Sequence, residues 1–434
     1  MHKEIEISKT VSLCPECDRI IDAEIIERNG RVFIRKTCPE HGDFELLLFD
    51  DASFYRRLLK TTSKVPEEFD NCDVTGCLSC RRHMPRVKTL MIDVTERCNL
   101  NCTACFTNTH ARKSRDPGIE EIRERLSKWV DNKPTVLLCG GEPTVREDLE
   151  DVIRTIDSMG FVVKMASNGI RLAEADYVKR LKDAGLGWVL FQLDGFSDDI
   201  YMKTRGRKLV DIKRQALINL ADAGIKVCLA FMVVRGVNDF EIGRVVDFVM
   251  NSDNIMHLGC TVLSDVGRDG FAPENITSAI HVMQSIEKET EGRVRVEDFM
   301  QTRLIGDRLF RLTGNLEFQQ KTCFHMALLH KRKDGYIPVN RYARPGTALR
   351  NIGGFAELGL LYGSLKHWDA IQLSGRVKLL TIEDFRPHDT IDLVDANRCN
   401  KAYMTEEGYI PPCIYNTKYR PHCWRANDVD GARE

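Results

Sequence analysis

Two spacings of hydrophobic residues alternate through the middle of the chain, between about residues 88 and 265. Short apolar runs predict strands, and stretches with apolar residues three or four positions apart predict helices. Six strands joined by helical crossovers predict an α/β fold, a partial (β/α)6 TIM-like barrel, since a full barrel has eight such units. The predicted strands are Thr89–Val94, Thr135–Leu138, Phe161–Ala166, Trp188–Leu193, Lys226–Val234 and Ile255–Val262, and the predicted helices are Ile119–Val130, Glu147–Met159, Ala173–Ala184, Val210–Ala223 and Phe240–Met250.

A different pattern precedes this core, in residues 1–65. Two alternating segments, Ile20–Ile26 and Arg31–Arg35, are joined through Asn29-Gly30, which is a strong signal for a β-hairpin. A Cys-x-x-Cys pair lies before the hairpin and a Cys-x-x-His pair after it, which is the spacing of zinc ribbons and rubredoxin-like sites. We expect a small metal-binding module that holds zinc or a single iron ion and mainly stabilises the fold. Its predicted ligands are Cys14, Cys17, Cys38 and His41.

The composition narrows the class of protein. The 434 residues include 63 basic and 64 acidic side chains without long runs of either sign, so we expect no nucleic acid partner. We find no apolar stretch near the ~20 residues that span a bilayer and no secretory signal. We therefore expect a cytoplasmic protein and leave peripheral contact with a membrane open. Sixteen cysteines in such a protein favour metal binding over disulfides.

The most informative cysteines are Cys98, Cys102 and Cys105, which follow the first predicted core strand. Three thiolates can hold a four-iron cluster with one iron free of protein ligands, because such clusters normally take four cysteines. A zinc site or an electron-transfer cluster is the alternative. After the next strands come Gly140-Gly141-Glu142-Pro143, Ser167-Asn168-Gly169 and Gln192-Leu193-Asp194. We expect all of these motifs at the C-terminal ends of the strands, where such folds bind ligands.

In this order the motifs resemble those of the radical SAM superfamily. The resemblance implies a [4Fe-4S] cluster on Cys98, Cys102 and Cys105 whose open iron binds S-adenosylmethionine (SAM). It implies that an electron, from a reductant protein such as ferredoxin or flavodoxin, splits SAM into methionine and a 5′-deoxyadenosyl radical. It also implies SAM contacts from Phe106, Gly140, Gly141, Glu142, Pro143, Ser167, Asn168, Gln192 and Asp194. Arg205 and Arg207, after the fourth strand, could meet a phosphate or carboxylate, but they are simplest to interpret as exposed loop charges.

Further cysteines lie on both sides of the predicted barrel. Cys72, Cys77 and Cys80, in a loop at residues 66–87, have a spacing that can hold a second cluster if a distant residue completes it, or a zinc ion. We expect Cys399 and Cys413, in the C-terminal region 266–434, to fold back there as ligands of an auxiliary [4Fe-4S] cluster. Cys323 and His325 lie close in sequence, but no second pair of metal-ligand residues lies near them, so we interpret them as structural. Residues 342–365 could form a lid or a substrate wall.

The whole order of motifs along the chain, which ends in Pro-Pro-Cys413-Ile-Tyr-Asn, resembles that of the tetraether lipid synthase family. That resemblance implies hydrogen abstraction from an unactivated carbon of a lipid chain or another apolar substrate, and C–C bond formation. One departure is the stretch from His83 to Lys88, which lacks a cysteine that the family has there. The alternatives are a radical SAM enzyme that oxidises or methylates a peptide or small molecule, with pterin methylases proposed in the same group, and a zinc-ribbon adaptor without enzymatic activity. A lipid site should be long and apolar, whereas a peptide site should be polar.

Overall fold

The computed structural model contains a four-stranded antiparallel sheet near the N-terminus and an eleven-stranded sheet that forms the core. The predicted trio Cys72, Cys77 and Cys80, and most of the predicted lid at 342–365, lie outside the described residues. The described residues are 4–62, 87–109, 115–263, 267–268, 270–313, 321–333, 335–342, 376–396, 398–405 and 409–420.

The N-terminal sheet is a meander whose strands pair in chain order. The predicted hairpin is confirmed, because Arg28 pairs with Arg31 and the two turn residues have the positive φ of a type I′ turn, 54° at Asn29 and 75° at Gly30. The sheet is larger than the predicted hairpin, since two outer strands pair with it. Its strands are β1 (Ile5–Leu13), β2 (Ile20–Arg28), β3 (Arg31–Cys38) and β4 (Gly42–Phe49), followed by helix α1 (Ala52–Thr61).

The core sheet contains the six predicted parallel strands in the predicted order. All five predicted helices are present, and a further short helix, α5, follows the fourth strand. The strands are β5 (Thr89–Thr95), β6 (Thr135–Gly140), β7 (Val163–Ser167), β8 (Trp188–Gln192), β9 (Lys226–Val233) and β10 (Ile255–Val262), and the helices are α2 (Ile119–Ser127), α3 (Leu149–Ser158), α4 (Ala175–Asp183), α5 (Asp198–Arg205), α6 (Val210–Asp222) and α7 (Ile242–Asn251).

The C-terminal part of the chain adds strands to both edges of this sheet. After helices α8 (Ala279–Glu289) and α9 (Val296–Thr313) come β11 (Phe324–Arg332), β12 (Gly335–Pro338) and β13 (Val377–Glu383); helix α10 (Leu393–Ala396), β14 (Lys401–Met404), β15 (Tyr409–Ile410) and helix α11 (Pro412–Ile414) follow. β13 lies parallel to β10, and β14 lies parallel to β5. The parallel row is therefore β13-β10-β9-β8-β7-β6-β5-β14.

This row is curled into a barrel. Lys401 on β14 donates to Glu383 on β13 at 2.6 Å, although the two strands are the outermost members of the row. In a flat sheet, strands so far apart in order would be separated by roughly 30 Å, since neighbours are about 4.8 Å apart. The ion pair therefore closes a polar seam between the two edges.

The two faces of the barrel strands differ in chemistry. On β5, Leu90, Ile92 and Val94 are buried in the apolar cluster that also contains the helix residues Ile122 and Leu126. The intervening residues of each strand face the barrel interior and keep partial exposure. This burial supplies most of the stability of the core, at about 1.5–3 kcal/mol for each large apolar side chain.

The N-terminal sheet is fixed to the C-terminal segment by a buried lysine. Lys36 on β3 donates to the carbonyl oxygens of Leu13 and Asp389, each at 2.6 Å. Thr10 donates to Asp392 at 2.6 Å, beside this contact. The module is thus a packed part of the molecule rather than a tethered domain. In the part of the chain that the structure describes, no helix combines the length and apolarity needed to cross a membrane.

Candidate active site and metal centres

The predicted N-terminal metal ligands lie together at one end of the meander. Cys14 and Cys17 lie in the loop between β1 and β2, and Cys38 and His41 lie at the turn between β3 and β4. Their ligand atoms all lie within 4.8 Å of one another, with Cys38 Sγ 3.4 Å from His41 Nδ1. Burial opposes ionisation of Cys38, but hydrogen bonds from the Glu40 backbone and from His41 outweigh it and lower its pKa to about 6. Three thiols and one imidazole fit a structural metal site.

The second group of thiols, Cys98, Cys102 and Cys105, lies in the loop that leaves the C-terminal end of β5. Burial, with smaller contributions from the nearby Glu142, Cys102 and Cys105, raises the pKa of Cys98 to about 12. Burial also opposes ionisation of Cys105, but hydrogen bonds from two threonines, with Thr107 Oγ1 at 3.5 Å and Thr109 Oγ1 at 3.7 Å, outweigh it and lower its pKa. Three neighbouring thiols in one loop are a donor set that fits a four-iron cluster with an open position.

The Gly140-Gly141 pair holds this loop in place. The backbone N–H of Gly141 donates to Thr95 O at 2.7 Å, and the N–H of Glu142 donates to Arg97 O at 2.9 Å. A Cβ atom at Gly141 would lie 2.1 Å from Arg97 O. The structure shows that these glycines let the end of β6 cross the start of the cysteine loop, and their predicted contact with SAM stays a prediction.

Glu142 ties the end of β6 to the end of β7. Its buried carboxylate accepts hydrogen bonds from Thr144 Oγ1 at 2.7 Å, Ser167 Oγ at 2.9 Å and the backbone N–H of Asn168 at 2.6 Å. Burial raises its pKa, and these donors counteract the rise. Asn168 in turn donates its side-chain amide to Asn99, within the cysteine loop, at 2.7 Å. The motif residues predicted to contact SAM thus form one connected network at the strand ends.

The Asp194 carboxylate anchors helix α5 against the same loop. Asp194 is fully buried and accepts hydrogen bonds from Arg205 Nε at 2.5 Å and Nη2 at 2.8 Å. Arg205 also lies beside the Cys102 side chain, which acts to raise the pKa of Arg205. The prediction that Arg205 is an exposed loop charge is wrong, since only 9% of it is exposed, because pairing with a buried carboxylate draws it inward.

These cysteines, glycines and carboxylates lie where a family model matches the chain. Residues 92–249 match the model described as the radical SAM superfamily. The core of this chain is a radical SAM domain. Residues 6–50 separately match a model described as the HMPTM N-terminal zinc ribbon domain. The predicted superfamily is therefore confirmed, and the domain implies a [4Fe-4S] cluster and SAM. Residues 92–249 thus carry the domain of an enzyme superfamily, which favours an enzyme over an adaptor without activity.

Named relatives share this radical SAM domain. The chain is 37% identical to a 7,8-dihydro-6-hydroxymethylpterin dimethyltransferase of Methanocaldococcus jannaschii over 67% of this chain and 60% of that protein. It is 32% identical to a GTP 3',8-cyclase of Nautilia profundicola over 38% of this chain and 54% of the cyclase. The chain therefore spans less than two thirds of both relatives. Among solved structures, Streptococcus suis SuiB bound to its precursor peptide SuiA matches 67% of this chain and 69% of SuiB with 14% identity and a TM-score of 0.41.

Inside the radical SAM barrel, the described wall carries many polar side chains. Asp93 pairs with Arg420 at 2.6 Å and accepts a hydrogen bond from Tyr415 at 3.1 Å. His257 Nε2 is 2.8 Å from Thr381 Oγ1. The seam carboxylate and ammonium keep 20% and 32% of their side-chain surface exposed. This wall is therefore partly accessible to solvent and mixes polar with apolar side chains, since the same alternation also turns Met91, Leu137, Trp188, Leu190, Met232 and Leu379 inward. The polar residues that alternation places on it are Asp93, Lys164, Gln192, Lys226, His257, Thr381, Glu383 and Lys401.

A third group of thiols lies at the seam of the barrel, where Cys323 comes close to Cys399 and Cys413. Burial raises the pKa of Cys323, and the nearby Asp395, Cys413 and Cys399 raise it further. Cys323 and Cys413 line one small cavity, and Lys321 Nζ lies 3.8 Å from Cys399 Sγ. Sequence reasoning missed Cys323 as a ligand, because Cys399 and Cys413 lie far along the chain and approach it only once β13 has paired with β11 and β14 has joined the opposite edge of the sheet.

The segment after β13 connects this third group to the radical SAM loop. The N–H of Asp384 donates to Cys323 O at 2.9 Å. The ring of Phe385 packs against Phe106, next to Cys105, with 4.6 Å between ring centroids. Phe106 was predicted to lie near the adenine of SAM, and that role stays a prediction.

Proposed function

We propose that this radical SAM enzyme methylates a carbon atom of a small polar heterocycle of the dihydropterin class. The polar and charged side chains on the inner face of the barrel, Asp93, His257, Glu383 and Lys401 among them, are the observation that supports this proposal most directly. A pterin ring presents adjacent N–H donors and acceptor atoms at its edge, which carboxylates, imidazole and lysine can pair. The name of the pterin dimethyltransferase relative agrees with this substrate class.

The same wall argues against the lipid substrate that the tetraether lipid synthase resemblance implies. Alkyl chains offer no partner to Asp93, His257, Glu383 or Lys401, all of which lie on the inner face. Displacing water from a charged pair without new polar partners costs several kcal/mol. A lipid chain would therefore be a poor occupant of the described part of the barrel.

We propose the following roles for the residues of the site. Cys98, Cys102 and Cys105 would hold the cluster, with Asn168 and Gln192 beside it at the strand ends to orient SAM. When bound, the cluster would pass an electron from a ferredoxin- or flavodoxin-like donor to SAM and release a 5′-deoxyadenosyl radical. Glu383 and Lys401 would pair the edge of the heterocycle and hold it inside the barrel. Twelve described cysteines are free thiols, which agrees with a reducing compartment such as the cytoplasm.

Anaerobic turnover with defined substrates tests this function. The protein, reconstituted with iron and sulfide, receives a chemical reductant, SAM with a deuterated methyl group, and either 6-hydroxymethyl-7,8-dihydropterin, a chain-deuterated phospholipid or a peptide. We expect a pterin product heavier by one or more deuterated methyl groups, since SAM is the only methyl donor in the mixture; each methyl group replaces a hydrogen on carbon, and the donor SAM leaves as S-adenosylhomocysteine. Deuterium moving from the phospholipid into 5′-deoxyadenosine, with the pterin unchanged, would contradict the proposal. Cys98→Ala serves as the control that abolishes both products.

We also propose that Cys323, Cys399 and Cys413 hold an auxiliary [4Fe-4S] cluster. A cluster spreads its thiolates over several irons, so its ligands stand farther apart than those of a single ion, as in the radical SAM loop. Cys323 and Cys413 line the same small cavity, and Cys399 and Cys413 lie near enough to Cys323 to raise its pKa. Whether the trio at Cys72, Cys77 and Cys80 shares this cluster stays a prediction, because it lies outside those residues.

Replacement of Cys323 should remove this cluster selectively. We expect Cys323→Ala to lower bound iron and sulfide by about four atoms each per chain, while the radical SAM cluster still binds SAM. Cys260→Ala is the control, because Cys260 is a buried free cysteine on β10 whose pKa is raised by burial alone. Elemental analysis and electron paramagnetic resonance of the reduced proteins measure the difference. Equal iron in both variants would contradict the assignment.

A further inference from the structure

A buried lysine that the motifs do not include lies directly beneath the predicted SAM site. Lys213, on helix α6, is only 2% exposed. Its Nζ donates to the carbonyl oxygens of Asn168 and Gln192, both at 2.7 Å, and to Gln192 Oε1 at 2.5 Å. One ammonium group therefore joins the ends of β7 and β8, the two strands whose terminal residues were predicted to contact SAM.

The contacts of Lys213, two backbone carbonyl oxygens and the Gln192 side-chain oxygen, match its charged form. Burial lowers its pKa to about 7, while the nearby Asp194 acts to raise it. A neutral amine has two N–H groups, whereas three acceptors lie within hydrogen-bonding distance of this nitrogen. The ammonium satisfies all three acceptors, so the geometry favours the protonated lysine.

This arrangement decides which end of the Gln192 amide faces the site. An ammonium can only donate, so the amide atom beside Lys213 must be the oxygen. The amide nitrogen, Nε2, consequently points away from the lysine. It is buried and has no hydrogen-bond partner among the residues that the structure describes. A buried N–H group without an acceptor is costly, so this nitrogen needs a partner. A bound ligand with an acceptor atom would supply it.

The position of this donor identifies the ligand class. Gln192 ends β8, beside the Asn168 backbone that Glu142 and Lys213 both hold. The Asn168 side chain in turn contacts Asn99 within the cysteine loop. A ligand at this point would present an acceptor oxygen, and SAM carries such oxygens on its carboxylate and its ribose.

We propose that Lys213 is a positioning residue that fixes the Gln192 amide so that its N–H donates to an oxygen of bound SAM. The proposal rests on SAM binding at these strand ends and not on the identity of the second substrate. A negative result with the pterin substrate would therefore leave this proposal intact, and the loss of this proposal would leave the pterin assignment intact.

Two substitutions separate positioning from simple support of the fold. Gln192→Glu keeps an acceptor for Lys213 but removes the donor, and Lys213→Met removes the ammonium but keeps the length of the side chain. We expect each to weaken SAM binding about tenfold or more, which corresponds to about 1.4 kcal/mol. Equilibrium titration of SAM into the reconstituted proteins measures this directly, with iron content and melting temperature recorded alongside. Lys208→Met, at an exposed lysine near the start of the same helix, is the matched control.

The double variant decides whether Lys213 acts through Gln192. If it does, the losses in SAM affinity overlap, and the double variant binds SAM about as weakly as either single variant. Additive losses, or a Lys213→Met protein with a lower melting temperature and unchanged SAM affinity, would overturn the proposal. If Lys213→Met does not fold, Gln192→Glu alone decides, since unchanged affinity there also overturns it.

Discussion

Gly141→Ala should abolish assembly of the radical SAM cluster while leaving most of the barrel folded. The added Cβ would lie 2.1 Å from Arg97 O and 2.8 Å from Glu96 O, both of which are backbone atoms at the start of the cysteine loop. The loop must move away, which breaks the hydrogen bonds from Gly141 to Thr95 and from Glu142 to Arg97. We expect a loss of about four irons per chain and at least a hundredfold slower SAM cleavage, since displacements of about 1 Å have effects of that size.

The matched control for this substitution is Gly118→Ala. Gly118 precedes helix α2, and a Cβ atom there would meet nothing within 4 Å. Its φ of −68° suits any residue, so the alanine causes no backbone strain. Iron content by elemental analysis and 5′-deoxyadenosine by mass spectrometry give the comparison. A Gly141→Ala protein that keeps its full iron content would show that the loop does not depend on this close crossing.

The features that could be predicted from the sequence are those built by residues near one another in the chain. The strands β5–β10 follow from apolar runs, and the hairpin at Asn29-Gly30 follows from the turn preference of those two residues. The N-terminal ligands follow from two short spacings, because a hairpin brings its two ends together. In each case the local pattern and the final structure agree, so no long-range contact is needed to interpret it.

The features that the sequence did not reveal depend on contacts between distant segments. β13 and β14 join opposite edges of the sheet, and only their placement brings Cys323 beside Cys399 and Cys413. Lys213 was indistinguishable from a surface lysine within an amphipathic helix pattern. It became informative once the structure placed its ammonium against the ends of β7 and β8. The side-chain roles at this site follow from these contacts rather than from the motifs alone.

Asp194→Ala should have the largest effect on stability of any single substitution considered for this site. Removal of the carboxylate leaves Arg205 buried without its main partner, and breaking a buried ion pair in this way costs about 3–5 kcal/mol. Urea unfolding followed by tryptophan fluorescence measures the change. Asp211→Ala is the control, because the Asp211–Arg214 pair on α6 has the same chemistry but is mostly exposed, so we expect a change of about 0.5 kcal/mol or less.

A double substitution separates the effect of this ion pair on folding stability from its effect on SAM cleavage. Asp194→Leu combined with Arg205→Met removes the unpaired charge and fills the space with apolar atoms, so it should recover much of the lost stability. It cannot restore SAM cleavage, because Arg205 also contacts the Cys102 side chain and anchors α5 against the cysteine loop. A stable double variant with normal iron content and normal 5′-deoxyadenosine production would contradict this role. Stability recovered without activity would show that the ion pair holds the cluster loop as well as the fold.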